Sequence, residues 1–229
     1  MICVCGGFAR ILIRRSIALK KRSTRKSRGR SLLPVISLFK KIGILLLVAA
    51  VLGLAGWRVW HSDLVQMRFV YMWPYQNEII SYSQKNEIDP FLVAAIIKNE
   101  SAFDRRAVSK VGAVGLMQVM PDTGEWIAQQ MGLKRFESQD LFRTDVNIRL
   151  GCWYVSELQH EFKNNLVLVM IAYNAGRGQA KSWMQENSWD YDFVSPDLIP
   201  YDDTRNYVKA VLKDRDEYYR YYRDKVTKL

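Results

Sequence analysis

Cysteine is scarce in this sequence, and the three present do not suggest a pairing. Cys3 and Cys5 lie at the N-terminus and Cys152 stands alone far downstream, so no disulfide framework organises the chain. Neither N-terminal cysteine follows an apolar stretch ending in a small residue, and lipid attachment is not indicated. Histidine is rarer still. His61 and His160 have no Cys, His or carboxylate grouping at ligand spacing, which argues against a metal site. Internal repeats are absent, as are Pro- or Ser-rich linkers. Acidic residues are missing from positions 1–41, which hold twelve Lys or Arg. The other 22 basic residues are offset by 23 acidic ones, so the formal net charge of +11 belongs to the N-terminal segment and not to a basic folded surface.

Directly after Lys40-Lys41 comes an apolar run, Ile42 to Trp57, 16 residues without a charge. Arg58 reaches water along its own stem, and Val59-Trp60 extends the stretch towards the roughly 20 residues a bilayer span requires. We expect a single transmembrane signal-anchor helix over 42–60. Basic residues crowd its N-terminal side, so residues 1–41 are expected as a cytoplasmic tail and the chain from about 61 onward outside. Flanking cations and Gly/Ala content disfavour a buried globular helix. A cleaved signal peptide is the stronger rival, because Gly53-Leu54-Ala55 offers small residues where a signal peptidase reads them. A basic lead running to Lys41 is long for such a signal. Residues 61–72 then read as a juxtamembrane connector and 73–229 as the folded domain. The tail's charge run permits nucleic-acid or anionic-lipid contact, but a solvated, membrane-adjacent polybasic segment is the simpler account, and no nucleic acid partner is expected.

Apolar periodicity beyond residue 65 predicts helices at about 73–85, 90–101, 121–131, 145–162, 164–175, 177–187 and 203–224. Gly112, Gly115, Gly132, Gly176 and Ser195-Pro196 supply turn signals between them. Segment 106–119, with Gly and β-branched residues, is expected to hold a short hairpin or irregular strand. The fold class is mainly α, or a helix-dominated α+β domain. Cys152 falls inside the 145–162 helix and reads as a small buried hydrophobe. The run Tyr218, Tyr219, Tyr221 and Tyr222 reads as helix packing.

One helix carries a chemically demanding residue. Asp89 supplies an N-cap oxygen and Pro90 fits the first helical position, so the start at 90 is well marked. Leu92, Val93, Ile96 and Ile97 share a face, and Glu100 leaves the helix on that same face. A carboxyl beside apolar wall must be solvated, paired or used. Partial burial raises its pKa, which is how a glutamic acid keeps a proton near neutral pH for general-acid work.

Three further segments follow Glu100-Ser101 in order: Gly115-Leu116-Met117-Gln118, Ala172-Tyr173-Asn174-Ala175-Gly176, and Thr204-Arg205-Asn206-Tyr207-Val208. Over about residues 75–222 the set resembles the catalytic domain of the soluble-type lytic transglycosylases, relatives of goose-type lysozyme that cleave bacterial peptidoglycan. The resemblance implies a lysozyme-like, two-lobed helical domain around a substrate cleft, acting on peptidoglycan glycan strands without a metal or organic cofactor. It implies that Glu100 protonates the oxygen between N-acetylmuramic acid and N-acetylglucosamine, then takes the proton of the muramyl C6 hydroxyl to leave a 1,6-anhydro sugar. Substrate-binding roles are implied for Ser101, Met117, Gln118, Tyr173, Asn174 and Tyr207, the last also orienting Glu100.

Polysaccharide cleavage ordinarily uses two carboxylates, and the sequence offers no second one. Asp104 reads as a local cap or a partner of Arg105 or Arg106; Asp122 and Asp145 read as helix N-terminal residues. A substrate that brings its own nucleophile removes the need for the second, and the 2-acetamido group of N-acetylmuramic acid is suited to that. A hydrolytic muramidase using the same cleft remains the alternative, with a non-catalytic wall-binding protein further off.

Overall fold

The computed structural model describes residues 33–226, so the expectations for the basic tail before Leu33, including Cys3 and Cys5, lie outside the described residues. The chain divides into a unit ending at Ala55 and a compact unit from Gly56 onward. The first is the greater part of helix α1 (Leu33–Trp60). Its Ile44, Leu45, Leu46 and Leu47 are all more than half exposed among the described residues. The 24 residues Ser37–Trp60 are long and apolar enough to cross a membrane.

The second unit is helical. A short turn α2 (Asp63–Val65) and a π-helical turn Gln66–Val70 lead into α3 (Gln76–Lys85) and α4 (Pro90–Ser101). Then come α5 (Pro121–Gln130), α6 (Thr144–Glu161), α7 (Leu166–Ala175), α8 (Arg177–Glu186) and the long α9 (Asp202–Val226). The expected helices at 90–101, 164–175 and 177–187 agree with α4, α7 and α8 to within two residues at either end. Segment 106–119 forms no ladder. Two isolated bridges, Val108 to Val114 and Val114 to Val119, are its β content, and no sheet occurs among the described residues.

Two buried helices organise the core. In α4 the Asp89 carboxylate accepts the Phe91 amide at 2.9 Å, Pro90 opens the helix, and every residue from Phe91 to Ile97 is buried. In α7 the Asn165 side chain caps Leu168 N at 3.1 Å, and Val167 to Ala172 are buried. Fully buried aliphatic side chains such as Leu92 and Ile96 contribute about 1.5–3 kcal/mol each. Helix α9 packs against both, presenting Val208, Val211, Asp214, Tyr218 and Tyr222.

Asp214 is a buried charge, and it is paired. Its Oδ2 accepts from Lys98 Nζ at 2.7 Å and from Asn99 Nδ2 at 2.8 Å, which pins the last turn of α4 to α9. Lys98 also sits 4.9 Å from the Tyr71 ring centroid, and burial followed by the Asp214 charge raises the Tyr71 hydroxyl above its ordinary pKa. Tyr71 falls in the segment expected as a connector, yet it is buried. The Tyr218 hydroxyl donates to Met72 O and the Tyr222 hydroxyl to Tyr71 O, both at 2.9 Å, so the tyrosine run of α9 holds the entry to the domain. Cys152 is fully buried, and burial pushes its thiol up to about 12.

Candidate active site

Helix α4 ends at Ser101 because the next two residues, Ala102 and Phe103, take positive φ of 48° and 66° and turn the chain away. Glu100 is therefore held in the last helical turn, close to buried apolar surface. Burial raises its carboxyl pKa above the ordinary value, and the Tyr207 hydroxyl pulls in the opposite direction. Burial wins. Among the described residues no carboxylate is a cause of this shift. The Tyr207 hydroxyl is itself buried and completes no hydrogen bond of regular geometry; the group it meets is the Glu100 carboxyl. Tyr173 feels the same carboxyl: burial first and then the Glu100 charge raise its hydroxyl pKa well above normal. Residues from α4, α7 and α9 thus converge on one acid.

The loop 114–118 is tied to the end of α4 and to α7, and side chains rather than a sheet hold it. Ser101 Oγ donates to Leu116 O at 2.8 Å, with Ile97 O as a second acceptor at 3.1 Å. The Tyr173 hydroxyl donates to Met117 O at 2.7 Å. Asn147, fully buried in α6, accepts from Met117 N at 2.8 Å and donates to Val114 O and Leu141 O, each at 2.9 Å. Such bonds hold backbone that would otherwise be buried without partners. Gly115 has φ of 79° and passes close enough to Asn147 that a Cβ would lie 2.3 Å from its Nδ2.

Gln118 turns the chain with φ of 47°, a left-handed conformation uncommon for a side chain of this size. Its Nε2 donates to Gly115 O at 2.9 Å and Ala107 O at 3.2 Å, which leaves its Oε1 for a ligand. Met117 points the other way: its side chain is fully buried, with its sulfur against Gly151. Gln118, Tyr173 and the exposed Asn174 line a cavity of about 270 Å³ with Met120, Thr123 and Tyr154.

The structure therefore brings Tyr173 and Tyr207 to Glu100, and Gln118 and Asn174 to the cavity that Tyr173 also lines. Ser101 and the Tyr173 hydroxyl serve the loop backbone, and Met117 serves the core. Three of the carboxylates considered from sequence have local roles. Asp104 Oδ1 accepts from Arg106 N at 2.9 Å, Asp145 pairs with Arg143 at 3.1 Å, and Asp122 sits in the first turn of α5. Asn147 and Tyr154 were not singled out in the sequence. Asn147 reads there as one more polar residue in an amphipathic helix.

Residues 77–193 match the family model described as the transglycosylase SLT domain. The chain belongs to this family. Over 150 residues it is 35% identical to a soluble lytic murein transglycosylase of Escherichia coli K12, covering 65% of this chain and 23% of that protein. It is 32% identical over 155 residues to a membrane-bound lytic murein transglycosylase C of Actinobacillus pleuropneumoniae serotype 5b (strain L20), covering 57% of this chain and 42% of the relative. Among solved structures, an inactive mutant of the lytic transglycosylase Slt from Pseudomonas aeruginosa superposes with a TM-score of 0.60 at 33% identity, over 68% of this chain and 25% of that one. The chain thus spans about a quarter of the soluble relatives it matches. The SLT domain match begins just inside α3 and ends before α9, so Tyr207 lies outside it.

Proposed function

We propose that the protein is a membrane-anchored peptidoglycan lytic transglycosylase. The observation that carries the reading is a partly buried Glu100 with a raised pKa and, among the described residues, no second carboxylate acting on it, in a domain of the transglycosylase SLT family. Glu100, protonated, gives its proton to the glycosidic oxygen as the bond from muramyl C1 breaks. The 2-acetamido oxygen of the same sugar stabilises C1 from the opposite face, replacing the missing carboxylate. Glu100, now ionised, takes the proton of the C6 hydroxyl while that oxygen bonds to C1. The acid is regenerated and no water is consumed.

Tyr207 supports both halves of this cycle, since a hydroxyl beside the carboxyl orients it and tempers its basicity. The presence of Gln118 and Asn174 in one cavity supports a reading in which their amides meet acetamido groups along the strand. The decisive experiment is mass analysis of fragments that the full-length protein releases from purified peptidoglycan. We expect 1,6-anhydro-muramyl ends, lighter by one water than reducing ends. Reducing muramyl ends would overturn the lyase reading in favour of a hydrolytic muramidase.

Anchoring rests on Ser37–Trp60 and on the basic residues before it. An inward N-terminus follows from the positive-inside rule, with the catalytic domain extracytoplasmic. Protease added outside wall-stripped cells is expected to digest the domain from about residue 61 and to spare an N-terminal tag. Recovery of a soluble protein beginning near Gly56 would make Gly53-Leu54-Ala55 a processing site instead. A protected domain would contradict the function itself, because the substrate lies outside.

A further inference from the structure

The stretch from Trp57 to Met72 leads out of the apolar helix α1, and it is a built part of the domain rather than a loose tether. Trp57 and Trp60, at the end of α1, already belong to the compact unit that starts at Gly56. Neighbouring side chains take the carbonyls that the helix end leaves open. Trp57 O lies 2.9 Å from His61 Nδ1, Val59 O accepts from Ser62 Oγ at 2.6 Å, and Trp60 O accepts from Gln66 Nε2 at 2.8 Å. A helix end in water has solvent for these groups, whereas one at a hydrocarbon boundary must satisfy them from within. The π-helical turn then closes with Tyr71 N donating to Gln66 O at 2.8 Å. Helix α9 holds the stretch from the other side: Arg220 Nη2 donates to Asp63 Oδ1 at 2.7 Å, and buried Tyr71 meets the Tyr218 ring edge-on.

What this stretch shows to the outside is apolar. Leu64 is 82% exposed and Phe69 67%, and Trp57, Val59 and Trp60 are each more than half exposed. Met67 and Val70 pack against the core, so the outward set is separate from the domain's own packing. The outward charge is positive. Arg58 and Arg68 are exposed, and Asp63, the one acidic residue from 57 to 72, is paired with Arg220. Exposed Trp and aliphatic side chains with cations among them make up the composition of a membrane–water interface. Leu64 follows the end of the apolar span Ser37–Trp60 by about one helical turn. A partner protein accounts for the apolar side chains but not for their continuity with a span, and a bilayer accounts for both.

We infer that the phospholipid surface is a partner of the folded domain itself, with residues 57–72 as its footing: Leu64 and Phe69 enter the acyl boundary while Arg58 and Arg68 meet lipid phosphates. The footing removes the slack of a free connector and confines the cleft to glycan nearest the bilayer. It rests on the anchored reading proposed above.

The test uses full-length protein in phospholipid nanodiscs, with Cys3 and Cys5 replaced by Ser and a spin label attached through Leu64→Cys or Phe69→Cys. Both positions are exposed, so the labels displace no core packing. Cys152 stays, since its thiol is buried and pushed up to about 12. Leu47→Cys, inside the span, is the lipid standard, and Val111→Cys, at a position 76% exposed on the domain, is the aqueous standard. Oxygen concentrates in lipid and a nickel chelate in water, so the ratio of their effects on label relaxation reads depth. The labels at 64 and 69 are expected about 5–10 Å inside the headgroup boundary, the depth of an interfacial apolar face. A label at either position as open to nickel as the one at 111 would overturn the footing while the label at 47 still reports the span. A label at 47 that is itself open to nickel would remove the span, and the footing with it. Arg58→Glu combined with Arg68→Glu should draw the label at 69 towards water, and an unchanged depth would remove the two cations from the footing.

Discussion

Replacing Glu100 with Gln is expected to lower turnover on peptidoglycan by about 10²- to 10⁴-fold, the range that a positioned acid–base group commonly supplies. The loss should fall at or beyond the upper end, because one group serves both proton transfers and Gln performs neither. Glutamine keeps the shape of the neutral acid, so binding of the strand should change little and kcat should take the loss. Asp104→Asn and Asp145→Asn serve as controls: each carboxylate has a local partner, and most of the activity should remain. Retention of turnover within severalfold of the parent by folded Glu100→Gln would remove Glu100 from the mechanism.

The same substitution tests the electrostatics without substrate. A carboxyl whose pKa is higher in the folded than in the unfolded chain keeps its proton longest in the native state. Stability then falls as pH rises from the unfolded carboxyl pKa through the folded one, and the penalty persists above it. Gln pays no such penalty. Glu100→Gln should therefore melt higher than the parent at pH 7, with the gap closing below about pH 4, where Glu is protonated in both states. A gap of equal size at both pH values would mean that the carboxyl is not held in its neutral form. The kcat/KM profile of the parent should likewise decline on the alkaline side, as the free enzyme loses its acid.

Much of the helical frame was legible because its signals are local. Asp89 and Pro90 mark a start that the structure reproduces, and the apolar density of 166–172 marks a helix buried on all sides. The motif residues were legible for a different reason, since four segments in order carry the family resemblance. What escaped depends on partners distant in sequence. Asn147 becomes a hub because α6 brings it against the loop some thirty residues earlier, and no property of its own neighbourhood announces that. Segment 106–119 has strand-like composition, yet it is tied by Ser101, Asn147 and Tyr173 and needs no ladder. Residues 61–72 lack a clear period and read as a connector; Tyr71 is buried because Asp214 and Tyr222, far along α9, meet it. Arg177 reads as an ordinary helix opening until Glu161, sixteen positions back, takes its Nε.

The loop's dependence on Gly115 leads to the second large effect, expected in Gly115→Ala. The residue has φ of 79°, a region that costs an L-residue about 1–2 kcal/mol on its own. Crowding adds to this, because the new Cβ would lie 2.3 Å from Asn147 Nδ2 and 2.5 Å from Leu141 O. The second of these is backbone. The first belongs to a side chain that cannot swing aside without surrendering its bonds to Val114 O, Leu141 O and Met117 N. A total of about 3 kcal/mol or more is expected, or about 6–12 °C in Tm for a domain of this size. Activity should fall with it, since relief of the overlap moves Leu116 and Gln118 away from Ser101 and the cavity. Gly112→Ala is the matched control. Its φ of 91° is equally left-handed, but nothing lies within 4 Å of the added Cβ, so only the conformational cost of about 1–2 kcal/mol should appear. Equal melting temperatures for the two variants would show that the grip of Asn147 on the loop contributes nothing, and that the loop is held by Ser101 and Tyr173 alone.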